Sequence, residues 1–584
     1  MALRSDGEIC AHFAGLAIKA KLTMSSALQR ARRQHARRPA IIEPDRVFTW
    51  AEHVERVACL AGALQAWGLA PGDRFGIASR NSFRQAELLH AGYWSGLIPV
   101  PVNVRLAPRE IAFVLQDAGC KLLAVDPALL GLLDKEELAP WRDKAVVLGP
   151  DGAGLQSHEM LIASATALAP HDAREDDDAI LLYTGGTTGR AKGVRLTHRN
   201  IAANGMQVGL TLGIGHDDIY LHVAPMFHSA DLLATALSLT GGAHVYLPEF
   251  NPLAFLAAIQ TRLVTFTMLA PTMLIMVLQH PDFAKYDLSS LRIQVYGSSP
   301  MAETWIRRAV EALPGAKVTQ GYGLTETAPI LSFFEHRDHL EALATGNSAR
   351  LACAGKTLPG VDLRIVDDVG HDVPRGASGE VIVRGPNITP GYYGLPDTNR
   401  ETFRDGWFHT GDVGCEDAEG FLYLLDRKKD MIVTGGENVY SSEVESALFT
   451  HPGVAEAAVI GVPDAIYGEA VFAVVIAKTG VTLDQAELIA HCRSRIGGYK
   501  IPRQFAFVDA LPKSALGKVL KADLRLRLGG EKPRCRKFAL PAGFASGCAH
   551  TRGSSSPPSF RQEGQQPPAH SRSWRPWPAC PAAT

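Results

Sequence analysis

The run Leu181-Leu182-Tyr183-Thr184-Gly185-Gly186-Thr187-Thr188-Gly189-Arg190-Ala191-Lys192-Gly193-Val194 begins where an apolar, β-prone segment meets glycines that a packed strand would not choose. A loop of small residues lets the backbone approach a ligand, and its successive N–H groups form an anion-binding concavity. Thr184, Thr187 and Thr188 add hydroxyls and Lys192 adds a mobile positive charge, so polyphosphate is the natural guest. The common nucleotide P-loop is excluded, because Gly193 follows Lys192 where that pattern needs Ser or Thr. Taken alone, a glycine–threonine turn between two elements is more often structural.

Five more segments carry residues of chemical use: Ala224-Pro225-Met226-Phe227-His228, Gln320-Gly321-Tyr322-Gly323-Leu324-Thr325-Glu326-Thr327, Gly406-Trp407-Phe408-His409-Thr410-Gly411-Asp412, the stretch from Asp426 to Glu445 with Gly435-Gly436-Glu437-Asn438, and Pro512-Lys513-Ser514-Ala515-Leu516-Gly517-Lys518. Each has a plain alternative. Thr325-Glu326-Thr327 can be a polar helix start, Asp412 a turn cap, and Lys518 a solvated lysine. His228 can be a satisfied core histidine. Arg427 can make an interdomain salt bridge, and glycines in a strand often mark a bulge.

The elements that must position these residues follow an α/β grammar. With 584 residues the chain is long enough for several domains. Its hydrophobic fraction of 46% and charged fraction of 20% are ordinary for a globular protein, and a net charge of -1 gives no case for nucleic acid. The nine scattered cysteines, with no Cys-x-x-Cys pair, argue against a disulfide framework or a zinc site and favour a reducing compartment. The most apolar run, Phe266 to Leu278, is too short to span a bilayer and contains Pro271, so it reads as a buried core element. No signal-peptide order is evident at the N-terminus, and the expected location is cytoplasmic.

Residues 1–25 form a poorly patterned extension, and Met24 could be a second start. Ser26 to Arg38 reads as a basic helix. Thr49 is expected to cap a helix through Trp67, buried along Val54, Val57, Leu60, Ala61 and Leu64. Strands and helices then alternate through Phe75–Ala78, Ser82–Ser95, Leu97–Val102, Lys121–Val125 and Ala145–Leu148, the pattern of mainly parallel sheets. Asp172 to Asp178 reads as a solvated acidic linker. The alternation resumes at Ile219–Val223, Ala243–Leu247, Val264–Leu269 and Leu291–Val295. After Gly323, short strands between Gly and Pro turns predict a small β-barrel or sandwich. The fold class is therefore a large α/β N-terminal domain over 26–426, with two α/β subdomains and a small barrel, and a smaller mobile α+β domain over 427–528. Residues 529–584, rich in Ser, Pro and Gln without period, cannot bury a core and are expected to be disordered.

Together and in this order, the six motifs resemble the adenylate-forming (ANL) superfamily of acyl-CoA synthetases, over roughly Ser26 to Arg527. The resemblance implies a two-step reaction in which a carboxylate attacks the α-phosphorus of ATP, releasing pyrophosphate, and a thiol then displaces AMP. It implies that Thr184, Gly185, Gly186, Thr187, Thr188, Gly189 and Lys192 hold phosphate, although the family often has Ser at Gly185 and Pro at Ala191. Thr325 would bond the α-phosphate, and Glu326 would ligate Mg²⁺, which takes a carboxylate with phosphate oxygens and water. Tyr322, Gly323 and Ser298 would line the adenine pocket, Asp412 would accept from the ribose hydroxyls, and Arg427 would contact ribose or phosphate. Lys429 matches the hinge, and Lys518 the lysine that bridges substrate carboxylate and α-phosphate. His228 falls where the family places an aromatic gate, and Gly435 and Gly436 along the pantetheine channel.

The expected acyl lining is small or apolar, with Ala230, Leu232, Leu233, Ala236, Ile330 and Leu331, and no placed Arg or Lys. An uncharged tail is favoured, as in a medium- or long-chain fatty acid or an aryl or cinnamic-type acid. Asp231 would cap the following helix or accept from a substrate hydroxyl. Coenzyme A is the favoured acceptor. The rivals are a stand-alone enzyme loading a carrier protein and a nucleotide-binding interaction protein. The partners are thus ATP, the acid and CoA, without nucleic acid or a transmembrane segment; peripheral membrane contact stays open, and the chain is a monomer or homodimer.

Overall fold

Capping chemistry sets the helices that frame the sheets. Thr49 accepts from the N–H of Glu52 while the Glu52 side chain accepts from the N–H of Thr49, a reciprocal box that starts the helix Trp50–Ala66. Ser82 caps Phe83–Ser95, which Gly96 ends at a φ of 74°. Thr197 caps His198–Leu212. The first described helix, Met24–Gln34, begins at Met24 itself, with Thr23 as its cap. The computed structural model describes residues 21–184, 191–299, 301–428, 430–434, 437–464, 467–493, 495–513 and 519–528. The expectations for Gly185, Gly186, Thr187, Thr188, Gly189, Lys429, Gly435, Gly436 and Lys518, for residues 1–20 and for the 529–584 tail lie outside the described residues.

The described residues divide into two units, one over 21–376 and 380–424, the other over 377–379 and 425–528. The first contains two parallel sheets, as the strand–helix alternation predicts. One has nine strands, with six parallel neighbours in the order Lys317–Tyr322, Ile293–Gly297, Phe266–Leu269, Ile219–His222, Ala243–Tyr246 and Pro39–Ile42, and antiparallel strands at its ends. The other has five parallel strands, Ile98–Pro101, Arg74–Ala78, Cys120–Val125, Ala145–Val147 and Gln156–Ser157. Strands of this kind are buried on both faces, and Phe75, Ile77, Phe266 and Ile293 have no exposed surface.

Pro271 divides the long apolar run. It cannot donate to a ladder but suits the first turn of a helix, so the strand Phe266–Leu269 gives way to the helix Pro271–Leu278. A further five-stranded sheet, built on Asp362–Val366, Gly379–Arg384, Trp407–Glu416, Phe403–Arg404 and Leu422–Arg427, stands where a barrel or sandwich was predicted. The acidic run is less free than a linker would be. Glu175 and Asp176 pair with Arg199, Asp177 with Arg174, and Asp178 opens a strand and pairs with Arg195.

The second unit is α+β. Val454–Asp464 and Gly468–Ala477 pair antiparallel, Gln504–Phe507 joins in parallel, and Ser441–Phe449 and Gln485–Arg493 supply helices. Ile432, Val444, Leu448, Val459 and Leu488 are among its fully buried residues. No helix among the described residues is long and apolar enough to cross a membrane.

Candidate active site

Parallel strands of an open α/β sheet bring their C-terminal ends to one edge, where ligands bind. In the nine-stranded sheet, the residues leaving that edge are the predicted ones. Ile219–His222 leads to His228, Ile293–Gly297 to Ser298, and Lys317–Tyr322 to Gly323, Thr325 and Glu326. Close backbone approach explains the glycines. Gly297 pairs with Gly321, and a Cβ on Gly297 would stand 2.4 Å from the Gly321 carbonyl oxygen. A Cβ on Gly323 would stand 1.9 Å from the carbonyl oxygen of Pro329. Ser298 is exposed and has a φ of 72°, a left-handed backbone that a non-glycine residue rarely adopts.

Tyr322 and Asp412 meet directly. The Tyr322 hydroxyl donates to Asp412 Oδ2 at 2.6 Å, and the carboxylate is buried. Asp412 is held in turn, because its N–H donates to Thr410 Oγ1 at 3.0 Å and the Thr410 hydroxyl donates to the Val381 carbonyl at 2.7 Å. An aromatic ring and a carboxylate joined at a sheet edge can face the base and the sugar of one nucleotide.

Thr325 and Glu326 lie in the short turn Thr325–Thr327, which is closed locally. Thr327 Oγ1 accepts from the Leu324 N–H at 3.0 Å, and Asn387 Nδ2 donates to the Thr327 carbonyl at 2.9 Å. The Thr325 hydroxyl is 3.0 Å from that of Ser229. Glu326 Oε1 accepts from the Tyr392 hydroxyl at 2.8 Å, and the Glu326 carbonyl accepts from the Thr389 N–H at 2.9 Å. Among the described residues no hydrogen bond is made to Oε2. No group of three or more His, Cys, Asp or Glu that could cage an ion exists among the described residues. One available carboxylate oxygen therefore suits Mg²⁺, which draws its other ligands from phosphate and water.

Tyr392 is a residue beside the candidate site that sequence reasoning missed. Its segment runs beside the strand Lys192–Thr197, with Tyr393 N–H donating to the Gly193 carbonyl at 2.8 Å. The Lys192 ammonium stands 5.2 Å from the centre of the Tyr392 ring. Tyr392 thus sits beside the cation expected to hold phosphate and bonds the carboxylate expected to ligate Mg²⁺. Thr184 and Lys192 are paired opposite each other on either side of residues 185–190.

His228 caps the short 3₁₀ helix Ser229–Ala234, its Nδ1 accepting from the Ala230 N–H at 3.2 Å. Burial pushes its imidazole down to about 4, with the Asp231 charge acting the other way. The ring is neutral near pH 7, and the proton sits on Nε2. Asp231 neither caps the helix nor stands unpartnered. His222 Nδ1 bonds both its oxygens at 2.9 and 3.0 Å, and His222 Nε2 lies 3.0 Å from His244 Nδ1. Ala230, Leu233, Ala236, Ile330 and Leu331 of the expected acyl lining are buried in one apolar cluster with Phe266 and Met268.

In the second unit the Arg427 N–H donates to Asp426 Oδ1 at 2.8 Å, while Asp426 Oδ2 accepts from the Ser441 N–H and hydroxyl at 2.5 and 2.6 Å. Thr434 pairs with Glu437 across the positions of Gly435 and Gly436. On either side of residues 514–518, Lys513 forms a bridge with Val519 and the Leu520 N–H donates to the Pro512 carbonyl at 2.8 Å.

Known proteins share both parts. Residues 28–393 match the AMP-binding enzyme family, and residues 443–518 match the AMP-binding enzyme C-terminal domain. A feruloyl-CoA synthase from Amycolatopsis sp is 37% identical over 485 residues, 82% of this chain and 94% of that protein. The fatty acid–[acyl-carrier-protein] ligase ScoC from Streptomyces coeruleorubidus is 34% identical over 504 residues, 85% of this chain and 94% of that protein. The crystal structure of ATP-bound MatB from Rhodopseudomonas palustris superposes with a TM-score of 0.78 at 32% identity, covering 87% of this chain and 99% of that one. The chain belongs to the AMP-binding enzyme family of adenylate-forming enzymes.

Proposed function

We propose that the protein is an ATP-dependent carboxylic acid–CoA ligase that first forms an acyl-adenylate with release of pyrophosphate and then transfers the acyl group to the thiol of CoA. The observation that carries the reading is the cluster Tyr322–Asp412 and Thr325–Glu326–Tyr392–Lys192. It offers donors, a cation and a metal-binding carboxylate where an anionic triphosphate must be held against an anionic acid. A carboxylate oxygen attacks the α-phosphorus and the bond to pyrophosphate breaks. Catalysis of such a step is largely positioning and charge neutralisation. Bound Mg²⁺ would supply a second positive centre on the phosphates, held by Glu326.

In this reading Thr325 donates to the α-phosphate, Thr184 through Gly189 with Lys192 hold the outer phosphates, Asp412 and Arg427 serve the ribose side, and Ser298 and Gly323 border the adenine. His228 gates the acyl pocket. Lys518 serves the adenylation step, Lys429 is the hinge about which the 427–528 domain turns, and Gly435 and Gly436 line the thiol channel.

The favoured acid has an uncharged tail, a medium- or long-chain fatty acid first, because the expected lining is apolar and its one carboxylate, Asp231, is taken by His222. An aryl or cinnamic-type acid is the second reading, supported by the feruloyl-CoA synthase relative. The name of ScoC supports a third, in which the acceptor is a carrier protein. ATP–pyrophosphate exchange with octanoate, dodecanoate, ferulate, 4-coumarate and benzoate, followed by CoA and detection of the thioester, separates them. Exchange with no acid contradicts the function. Exchange without thioester formation points to a carrier protein.

A further inference from the structure

Ser229 and Thr325 are 96 positions apart in the chain and join side chain to side chain across the buried edge of the sheet, Oγ to Oγ1 at 3.0 Å. Ser229 is 4% exposed and Thr325 8%. Neither hydroxyl has a second hydrogen-bond partner among the described residues. A pair of hydroxyls shares one proton in the bond and leaves one free, and nothing in the isolated pair decides which.

The surroundings fix the heavy atoms on both sides. Ser229 opens the 3₁₀ helix capped by His228, and two residues on, Asp231 is tied to His222 on the neighbouring strand. Asn81 holds the approach to this segment, accepting from the Met226 N–H at 2.8 Å and donating to the Ala224 carbonyl at 2.9 Å. Thr325 sits in a turn closed through Thr327 and Asn387. With both oxygens placed, only the protons remain to be set, and a bound phosphate sets them. It can only accept, so the Thr325 proton goes to it and Thr325 Oγ1 must then accept from Ser229.

We propose that Ser229 is a positioning residue for nucleotide: its hydroxyl donates to Thr325 and turns the Thr325 proton toward the α-phosphate. This rests on the reading that Thr325 contacts that phosphate. The consequence is a relay, Ser229 O–H to Thr325 O–H to phosphate oxygen, in which each bond polarises the next. It also ties the segment behind His228 to the phosphate site, so a shift of the acyl gate reaches the nucleotide.

AMP carries the α-phosphate and needs no acid, so AMP and adenosine affinities by titration calorimetry test the proposal on the full-length protein. Ser229→Ala weakens AMP about tenfold and leaves adenosine unchanged, since a phosphate-directed donor is lost and the adenosine pocket is not. In a Thr325→Val background the added Ser229→Ala change costs less than about twofold, because the relay is already cut. The same tenfold loss in both backgrounds, or undiminished AMP binding by Ser229→Ala, overturns the role of Ser229. Undiminished AMP binding by Thr325→Val overturns the phosphate contact of Thr325 instead, and with it the relay. Failure of the wild-type protein to bind AMP overturns the proposed function as a whole.

Discussion

The hydroxyl of Tyr392 donates to Glu326 Oε1 at 2.8 Å, while the Lys192 ammonium lies 5.2 Å from the centre of the same ring. A single buried phenol thereby orients the carboxylate that would ligate Mg²⁺ and packs beside the lysine that would face the outer phosphates. The bond uses one carboxylate oxygen, and among the described residues no hydrogen bond is made to the other.

Removing only that hydroxyl isolates its effect. Tyr392→Phe keeps the ring beside Lys192 and frees Glu326 to rotate. The Mg²⁺ concentration for half-maximal pyrophosphate exchange is expected to rise about tenfold, with the KM for the acid unchanged, as outer-shell partners of metal ligands behave elsewhere. An unchanged Mg²⁺ requirement contradicts the orienting role.

Asp412 offers a second separation. Its carboxylate is buried and already accepts from Tyr322. Asp412→Asn leaves the volume but gives up charge and an acceptor, so the KM for ATP is expected to rise at least about tenfold. Tyr322→Phe keeps the ring and should raise it less than about threefold. The reverse order of effects in steady-state kinetics would show that the hydroxyl, and not the carboxylate, holds the nucleotide.

Burial pushes His90, His198, His228 and His339 each down to about 4 from 6.5. Between those values the unfolded chain binds protons that the folded chain does not. These four groups therefore lower stability as pH drops from 6.5 toward 4, by roughly 1.4 kcal/mol per pH unit each, and add no slope above that window. The urea midpoint of the large unit should be lower at about pH 5 than at about pH 7.5, and His339→Gln should reduce the slope by about one proton. A midpoint that rises on acidification contradicts this.

The sequence made the local chemistry legible and left the long-range pairings hidden. Thr49 and Ser82 announce helix starts because capping acts within one turn. Gly321 and Gly323 sit in a recognisable motif, and the backbone contacts show why no side chain fits there. The partners of those motif residues are not local. Tyr392 lies 66 positions from Glu326, Asp412 lies 90 from Tyr322, and Ser229 lies 96 from Thr325. Nothing in spacing or period encodes such contacts. Asp231 shows the same limit, since a lone acid in an apolar lining reads as a cap or a substrate contact, whereas its partner His222 sits one strand back. The run from Phe266 to Leu278 reads as one buried element until Pro271 is placed at a helix start.

The most direct test of the two-step account is Lys518→Ala, assayed separately for acid-dependent ATP–pyrophosphate exchange and for thioester formation from presupplied acyl-adenylate and CoA. The account predicts that exchange falls at least about a hundredfold, because the charge bridging carboxylate and α-phosphate is gone, while thioester formation largely survives. Equal loss of both steps, or exchange that persists undiminished, would contradict it.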